Sequence, residues 1–268
     1  MKTLATLEGY PLVVAAVVLL GAALGRFAVS GLLGRYPATT LALTFSLVRL
    51  AALGLTRPQL RIFGLDGYGL LYVLTQPILW VLYFLVILEL YSRALEEFPG
   101  LRRLGQLVLF SALGAIGLAC SSLMVLDQRA GIDPYPFLAY LALQERSVYI
   151  ALSALAILLL FFASHYRLPV RRNLLVLWAC FGGYFVWNAA LLSLRFHLGA
   201  DFRPARILLN AVAYDAAVLG VTLFVSRAGE TEIRRVRPLW GAGDRNLEAA
   251  VSHQLQSFNE ALVKVLRS

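Results

Sequence analysis

Five polar side chains stand inside long apolar stretches of this sequence, and they have the best opportunity to do chemistry. They are Arg49, Gln76, Glu145, Asn188 and Asp215. The stretch "NAVAYDAAVL" places Asp215 near the middle of the last apolar segment. A charged side chain there is costly in lipid unless it is paired, hydrated or protonated. These residues are therefore expected to face one another in a bundle interior.

The depth of these residues favours one shared cluster. Arg49, Gln76, Asn188 and Asp215 lie about 10–13 Å from the same side of the bundle, at 1.5 Å rise per residue. Glu145 belongs to the outer part of a long helix on that side. We predict that Asp215 lies within salt-bridge reach of Arg49, directly or through one polar residue or water, and that Gln76 and Asn188 complete a hydrogen-bonded cluster. Two interpretations stay open: a ligand-binding pocket that faces outward, or a buried ion pair that only fixes helix packing.

Retinal chemistry is excluded by the positions of the lysines. A Schiff base needs an amine within the bundle, and the only lysines are Lys2 and Lys264, both outside the apolar segments. We therefore expect no retinal and no other cofactor.

A metal-dependent protease is also disfavoured. The fragments "EEFPGLR", "FFASH" and "HLGAD" look like parts of a metal-dependent prenyl-protease motif. The pair Glu96 and Glu97 and the residue His165 fall on one side of the membrane, whereas His197 falls on the other. Metal ligands must all lie about 2 Å from one ion. The sequence therefore predicts no metal site, no catalytic residue and no enzyme activity.

The composition indicates a polytopic membrane protein. The chain has 268 residues, of which 60% are hydrophobic and 15% charged, and its mean hydropathy is +0.74. The net charge of +9 comes from arginines that border the apolar segments. This placement is typical of membrane-interface residues, so a nucleic-acid partner is not expected. The partner that the composition implies is the lipid bilayer.

Seven stretches are long and apolar enough to span a bilayer, which needs about 20 residues each. They are roughly 11–33, 38–56, 68–90, 104–126, 136–165, 173–195 and 207–226. More basic residues border the connections on the C-terminal side than on the N-terminal side. This bias predicts that the N-terminus lies outside and the C-terminus in the cytoplasm. Near the span ends, Glu89 and Arg93 are expected to pair at i and i+4, and Tyr72 is expected to be an interface anchor.

The C-terminal segment differs from the core, so we divide the chain into a membrane domain at 1–227 and a cytoplasmic tail at 228–268. Between about 244 and 266, apolar residues recur at helical spacing and predict an amphipathic helix. Its stripe includes Leu255, Phe258 and Leu262. This stripe either docks a cytoplasmic partner or a second copy of the chain, or it lies on the membrane or on the protein's own loops.

Three stretches carry a resemblance to a known group of proteins. They are "LTFSLVRL", "LTQPILWVLYFLVILELYSRALEEFPGLRRLG" and "ERSVYIALSALAILLLFFASHYRLPVRRN". In these stretches the sequence resembles a family of uncharacterised bacterial seven-helix integral membrane proteins. The resemblance covers most of the 1–227 core. It implies a seven-helix bundle in a bacterial inner membrane, and it implies no activity and no site residues.

The sequence analysis thus predicts an all-α, seven-helix transmembrane bundle with an amphipathic C-terminal helix. Its leading function is that of a non-enzymatic sensor or receptor-like protein, in which the polar cluster binds an unknown small molecule. The first alternative is a transporter or channel subunit, for which broken helices, a repeat and a polar path to both sides are expected. The second alternative is a structural or assembly subunit of a membrane complex.

Overall fold

Long helices form almost the whole fold. The computed structural model describes residues 4–55, 61–62, 65–126, 136–165, 168–198, 202–235, 256–257, 259–261 and 263–264. The helices are α1 (Leu4–Val29), α2 (Pro37–Leu55), α3 (Gly67–Ala94), α4 (Pro99–Leu126), α5 (Pro136–His165), α6 (Arg172–Leu198) and α7 (Arg203–Phe224). Pro37, Pro99 and Pro136 each occupy the first helical position, where a missing N–H has no intrahelical partner to lose. The helix starts therefore follow from local proline chemistry.

Short backbone pairings join the connections between helices. Strand β1 (Arg61–Ile62) pairs antiparallel with β2 (Leu65–Asp66) between α2 and α3. Strand β3 (Pro169–Arg171) pairs antiparallel with β4 (Ile233–Arg235). Strand β4 belongs to the segment that the sequence analysis assigns to the cytoplasmic tail. Its pairing with β3 shows that the chain after α7 returns to the α5–α6 connection.

Helix α3 occupies the centre of the bundle. It packs against α2, α4, α5 and α6, while α1 and α7 pack on each other and close the other side. Val86, Ile87 and Leu90 of α3 are fully buried. Leu74 and Val81, on the opposite side of the same helix, are about 60% exposed, at 61% and 59%. An apolar surface of this kind fits lipid rather than water.

Six helices within the described residues are long and apolar enough to cross a membrane. The qualifying windows are Pro11–Val29, Pro37–Gly54, Gly69–Ala94, Leu143–His165, Arg172–Arg195 and Pro204–Phe224. The prediction of membrane helices is confirmed for these six. A span at 104–126, within α4, stays a prediction. The lengths and compositions are those of an all-helical, multi-pass membrane protein.

Side chains from distant segments cap the helix ends. The Glu89 carboxylate accepts hydrogen bonds from the backbone N–H groups of Ala38 (3.0 Å) and Thr39 (2.9 Å), at the start of α2. The expected pair between Glu89 and Arg93 is not formed among the described residues; Arg93 donates instead to the Arg35 carbonyl at 2.7 Å. The free N–H groups of a helix N-terminus carry a partial positive charge, which makes them good partners for a carboxylate.

A second network, here called the Glu230 cluster, consists of Arg35, Tyr36, Arg171, Asn173 and Glu230. The Glu230 carboxylate lies 2.7 Å from Arg35 Nε and 3.3 Å from Arg171 Nη1. It also accepts from the Tyr36 hydroxyl at 2.7 Å and from Asn173 Nδ2 at 3.0 Å. Burial and the hydrogen bond to Glu230 raise the pKa of Tyr36, which keeps its hydroxyl a donor.

The segment that follows α7 is held tightly by this cluster. Asn173 donates to the Ser226 carbonyl (2.7 Å) and accepts from the Ser226 N–H (3.1 Å). A Cβ at Gly229 would fall 2.2 Å from Asn173 Oδ1, so only glycine fits there. The cluster therefore ties the α1–α2 connection, β3 and the start of α6 to the end of α7.

Glu230→Gln is expected to destabilise the fold, because two arginines lose their shared carboxylate. Breaking a buried pair costs about 3–5 kcal/mol, and we expect about 2–3 kcal/mol here because the arginines are partly hydrated. The side chains of Arg35 and Arg171 are each 34% exposed. The matched control is Glu232→Gln, whose carboxylate is 40% exposed beside Arg172. Thermal unfolding in lipid nanodiscs measures both, and equal losses of stability in the two variants would contradict the role of Glu230.

Candidate functional site

Arg49 is held by one face of α3. Its Nε donates to Thr75 Oγ1 at 2.8 Å, and its Nη2 donates to Gln76 Oε1 at 2.5 Å. The guanidinium lies over the Tyr72 ring, 5.1 Å from the centroid. Positions 72, 75 and 76 share a helix face because they are three and four residues apart. The cation is therefore fixed by two hydrogen bonds and one cation–π contact.

Gln76 extends the network from α3 to α5. Its Nε2 donates to Glu145 Oε1 at 3.4 Å, and the Tyr72 hydroxyl donates to Glu145 Oε2 at 3.3 Å. Gln76 is 2% exposed and Glu145 is 8% exposed. Together Arg49, Tyr72, Thr75, Gln76 and Glu145 are called the interior polar cluster below. It links α2, α3 and α5 in the half of the bundle that contains the α2–α3 and α6–α7 connections.

Arginines from α6 and α7 complete the electrostatics of this cluster. The Glu145 carboxylate interacts electrostatically with Arg206, then with Arg49 and with Arg195. One carboxylate thus faces several guanidinium groups that come from different helices. The site is electropositive, although it contains an acid.

An aromatic layer lies beside the interior polar cluster. Ring centroids within it are 5.2–6.5 Å apart, which is the usual separation of packed aromatic pairs. Its members are Tyr83, Tyr149, Phe181, Tyr184, Phe185 and Tyr214. The Tyr83 hydroxyl is buried, and Tyr184 and Ser46 are its hydrogen-bonding neighbours. Neutral hydroxyl groups therefore stand next to the charged side chains.

Asn188 and Asp215 take other positions than the sequence analysis expects. Asn188 is buried, and its Nδ2 donates to the Tyr184 carbonyl on its own helix at 3.3 Å. No direct ion pair joins Asp215 to Arg49 among the described residues, and Asp215 is only partly buried. The reason is rotation about the helix axis. Tyr214 packs against Tyr184 at 5.4 Å, and the next residue, Asp215, is turned away by about 100°.

The other predicted site residues divide into two groups. Arg49, Gln76 and Glu145 are brought together, and whether they bind a ligand stays a prediction. Leu255, Phe258 and Leu262 lie outside the described residues. Among the described residues, no group of three His, Cys, Asp or Glu side chains could hold a metal ion.

Three contributors were missed by the sequence analysis: Tyr72, Thr75 and Arg206. Tyr72 was expected at the interface, yet its hydroxyl faces Glu145. The spacing of Tyr72, Thr75 and Gln76 along one helix face was the available signal. Arg206 lies in the first turns of α7. In the sequence it is indistinguishable from the other basic residues that border the spans.

A residue of the C-terminal segment contacts the bundle at its other end. Asn259 Oδ1 accepts hydrogen bonds from the N–H groups of Gly100 (2.8 Å) and Leu101 (3.4 Å). These are free donors in the first turn of α4. The Tyr91 hydroxyl of α3 donates to the carbonyl of the same Leu101 at 3.0 Å. The C-terminal segment and α3 therefore meet at one turn of α4.

Comparisons with known proteins add no family to this picture. No protein-family model matches the chain. No curated protein and no solved structure matches it either. The fold and the site define an all-helical, multi-pass membrane protein with a charged cluster in its interior.

The contacts predict which substitutions are energetically coupled. Arg49→Gln and Asp215→Asn should be additive within about 0.5 kcal/mol, because no hydrogen bond or ion pair joins the two side chains among the described residues. Arg49→Gln and Gln76→Leu should instead show a coupling of about 1 kcal/mol or more, because they share a hydrogen bond. Unfolding free energies of the single and double variants in mixed micelles measure both cycles. A larger coupling for the Asp215 cycle than for the Gln76 cycle would refute this arrangement.

Proposed function

We propose that this chain is a non-enzymatic, receptor-like membrane protein. The interior polar cluster binds a small molecule, and the C-terminal segment transmits the binding to a cytoplasmic partner. One observation carries the proposal: α3 contacts the interior polar cluster near one end and, near its other end, the turn of α4 that Asn259 caps.

The path between these contacts is short and rigid. Gln76 and Tyr91 belong to the same helix and lie about 22 Å apart at 1.5 Å rise per residue. A ligand that displaces Gln76 shifts or rotates α3 as a unit. Tyr91 then pulls on Leu101, whose N–H and carbonyl bond to Asn259 and Tyr91 respectively. Coupling of this kind needs an element with two arrangements that both sites bias, and α3 is the candidate.

The distribution of polar residues favours binding over transport. A transporter needs a polar path that reaches both sides of the membrane. Below Gln76, the described part of the α3 core face is formed by apolar residues such as Leu79, Val86 and Leu90. The interior polar cluster therefore has an apolar floor, which suits a closed binding site.

The location of the chain, its number of membrane spans and the structure of its C-terminal segment are also part of this proposal. The chain lies in a bacterial inner membrane, α4 is a seventh span, and residues about 244–266 form an amphipathic helix. The backbone is helical at 256–257, 259–261 and 263–264, which supports the last point. The N-terminus lies outside and the C-terminus in the cytoplasm, because Arg35, Arg171 and Arg172 gather at the Glu230 end.

Hydrogen exchange tests the transmission of a change at the interior polar cluster to the C-terminal segment. Gln76→Leu should speed exchange of the Gly100 and Leu101 amides about fivefold or more, the lower range of allosteric coupling. The control is Thr44→Val, because the Thr44 side chain is exposed and bonds only the Thr40 carbonyl one turn earlier. Asn259→Ala supplies the rate expected when the cap is lost. If folded Gln76→Leu protein exchanges these amides at the wild-type rate, the receptor proposal fails.

A fusion experiment tests the orientation. A reporter that is active only in the cytoplasm should be active when it is fused after Ser268, and a reporter that is active only in the periplasm should be inactive there. The reason is that basic residues are retained on the cytoplasmic side. The control fuses the same reporter after His197, which should report the opposite side. Periplasmic activity of the Ser268 fusion would reverse the orientation.

A further inference from the structure

Asp215 lies in the middle of α7 and forms no bond with the rest of the described chain. It is about 16 Å from one end of the apolar window Pro204–Phe224 and about 14 Å from the other, at 1.5 Å rise per residue. Among the described residues, no hydrogen bond and no ion pair reaches its carboxylate, and the residue is only partly buried. A carboxylate at this depth is costly in lipid unless a partner pairs with it.

Asp215 also belongs to an exposed stripe that has the spacing of a helix–helix contact. Leu208, Val212, Asp215 and Leu219 follow one another at intervals of four, three and four residues, so they lie along one face of α7. The three apolar members are 52%, 50% and 41% exposed. Alternating intervals of four and three are typical of the seam between two packed helices, in which side chains of one helix insert between those of the other. The stripe therefore fits a second helix, with one carboxyl group near its centre.

The helices of this chain leave the stripe open. Only 11% of the Pro204–Phe224 window is buried, the smallest share of the six candidate spans, whereas the Arg172–Arg195 window of α6 is 50% buried. Helix α7 packs on α1 and α6, and its buried side is formed by other residues, such as Val218 and Val221. Lipid covers an apolar side chain such as Leu219 without cost, because lipid is equally apolar. Lipid tails offer no cation to a carboxylate, so they do not satisfy this face.

We propose that Leu208, Val212, Asp215 and Leu219, called the α7 seam below, are a docking surface for a transmembrane helix of another protein that carries a Lys or Arg at its centre. The cation of the partner pairs with Asp215, and its apolar side chains pack against the other three residues. A basic residue at this depth is expensive in lipid as well, so the pairing relieves both costs. The inference does not depend on the ligand of the interior polar cluster.

A second copy of this chain fits the α7 seam less well than a basic partner does. In a symmetric dimer the same patch meets itself, which brings two Asp215 carboxylates together. An asymmetric contact needs a free cation in the membrane part of the second copy. Arg49 is the most deeply placed basic residue of the six candidate spans. It already donates to Thr75 and Gln76 and lies over the Tyr72 ring. The complementary charge therefore belongs to a different protein.

The test measures the association of the full-length chain with designed transmembrane peptides in phosphatidylcholine vesicles. Each peptide is a helix of about 20 leucine and alanine residues. The peptides differ only in the central residue, which is Lys, Leu or Glu. Energy transfer from a donor on the protein to an acceptor on the peptide gives the affinity. The wild type should bind the Lys peptide about tenfold more tightly than the Leu peptide, the size of one polar contact between membrane helices. It should bind the Glu peptide no more tightly than the Leu peptide.

The variants separate the charge from the packing. Asp215→Asn should abolish the preference for the Lys peptide, whereas Asp215→Glu should keep it. Leu219→Ala should weaken the binding of the Lys and Leu peptides alike, because it removes apolar contact and no charge. The control is Phe224→Ala, which should match the wild type. Phe224 is 54% exposed and lies nine residues from Asp215, on the opposite face of α7.

Three results would overturn the proposal. The first is equal affinity of the wild type for the Lys and Leu peptides, or a preference that survives in Asp215→Asn. The second is equally tight binding of the Glu and Lys peptides, which would show that Asp215 is protonated and bonds any polar group. The third is self-association of donor-labelled and acceptor-labelled wild-type chains that is lost in Asp215→Asn, because the α7 seam would then bind a second copy.

Discussion

The amide of Gln76 is the contact on which the interior of the bundle depends. It accepts a hydrogen bond from Arg49 with its oxygen and donates one toward Glu145 with its nitrogen. A side-chain amide performs both roles at once, with its oxygen as acceptor and its nitrogen as donor. A carboxylate would serve Arg49 and repel Glu145, and an apolar group would leave both charges without partners. Three helices therefore keep their mutual rotation through one side chain of α3.

The two polar networks of the molecule differ in how completely they are satisfied. In the Glu230 cluster, each carboxylate oxygen has close partners, and the surrounding segments are fixed by paired backbone groups. Around Glu145, the contacts are longer: the hydrogen bonds from Tyr72 and Gln76 measure 3.3 and 3.4 Å. A network of short, well-satisfied hydrogen bonds rigidifies a fold. The Glu230 cluster is therefore the more tightly held of the two networks.

The sequence predicts the position of a residue along a helix axis better than the direction in which its side chain points around that axis. The expected span 136–165 coincides with α5, because proline and apolar length are local signals. Arg49, Gln76 and Glu145 meet as their matching depths predict. Asp215 has a matching depth too, but a residue next to the inward-facing Tyr214 cannot share its direction. The Glu230 cluster could not be predicted, because its members come from the α1–α2 connection, from β3 and the start of α6, and from the segment after α7. No local sequence pattern shows which of these segments meet.

Rotation is hard to predict here for a physical reason. Lipid is as apolar as leucine, so burial of apolar side chains gives little preference for one helix face over another. Polar contacts between helices make that choice: Arg26 Nε donates to the Val225 carbonyl at 3.0 Å, and Trp178 Nε1 donates to the Ala156 carbonyl at 3.0 Å. Helix α3 is oriented by Gln76 near one end and by Tyr91 near the other. Under the proposed function, a ligand that replaces one of the contacts of Gln76 changes the balance that sets the rotation of α3, and Tyr91 carries that change to the turn where Asn259 binds.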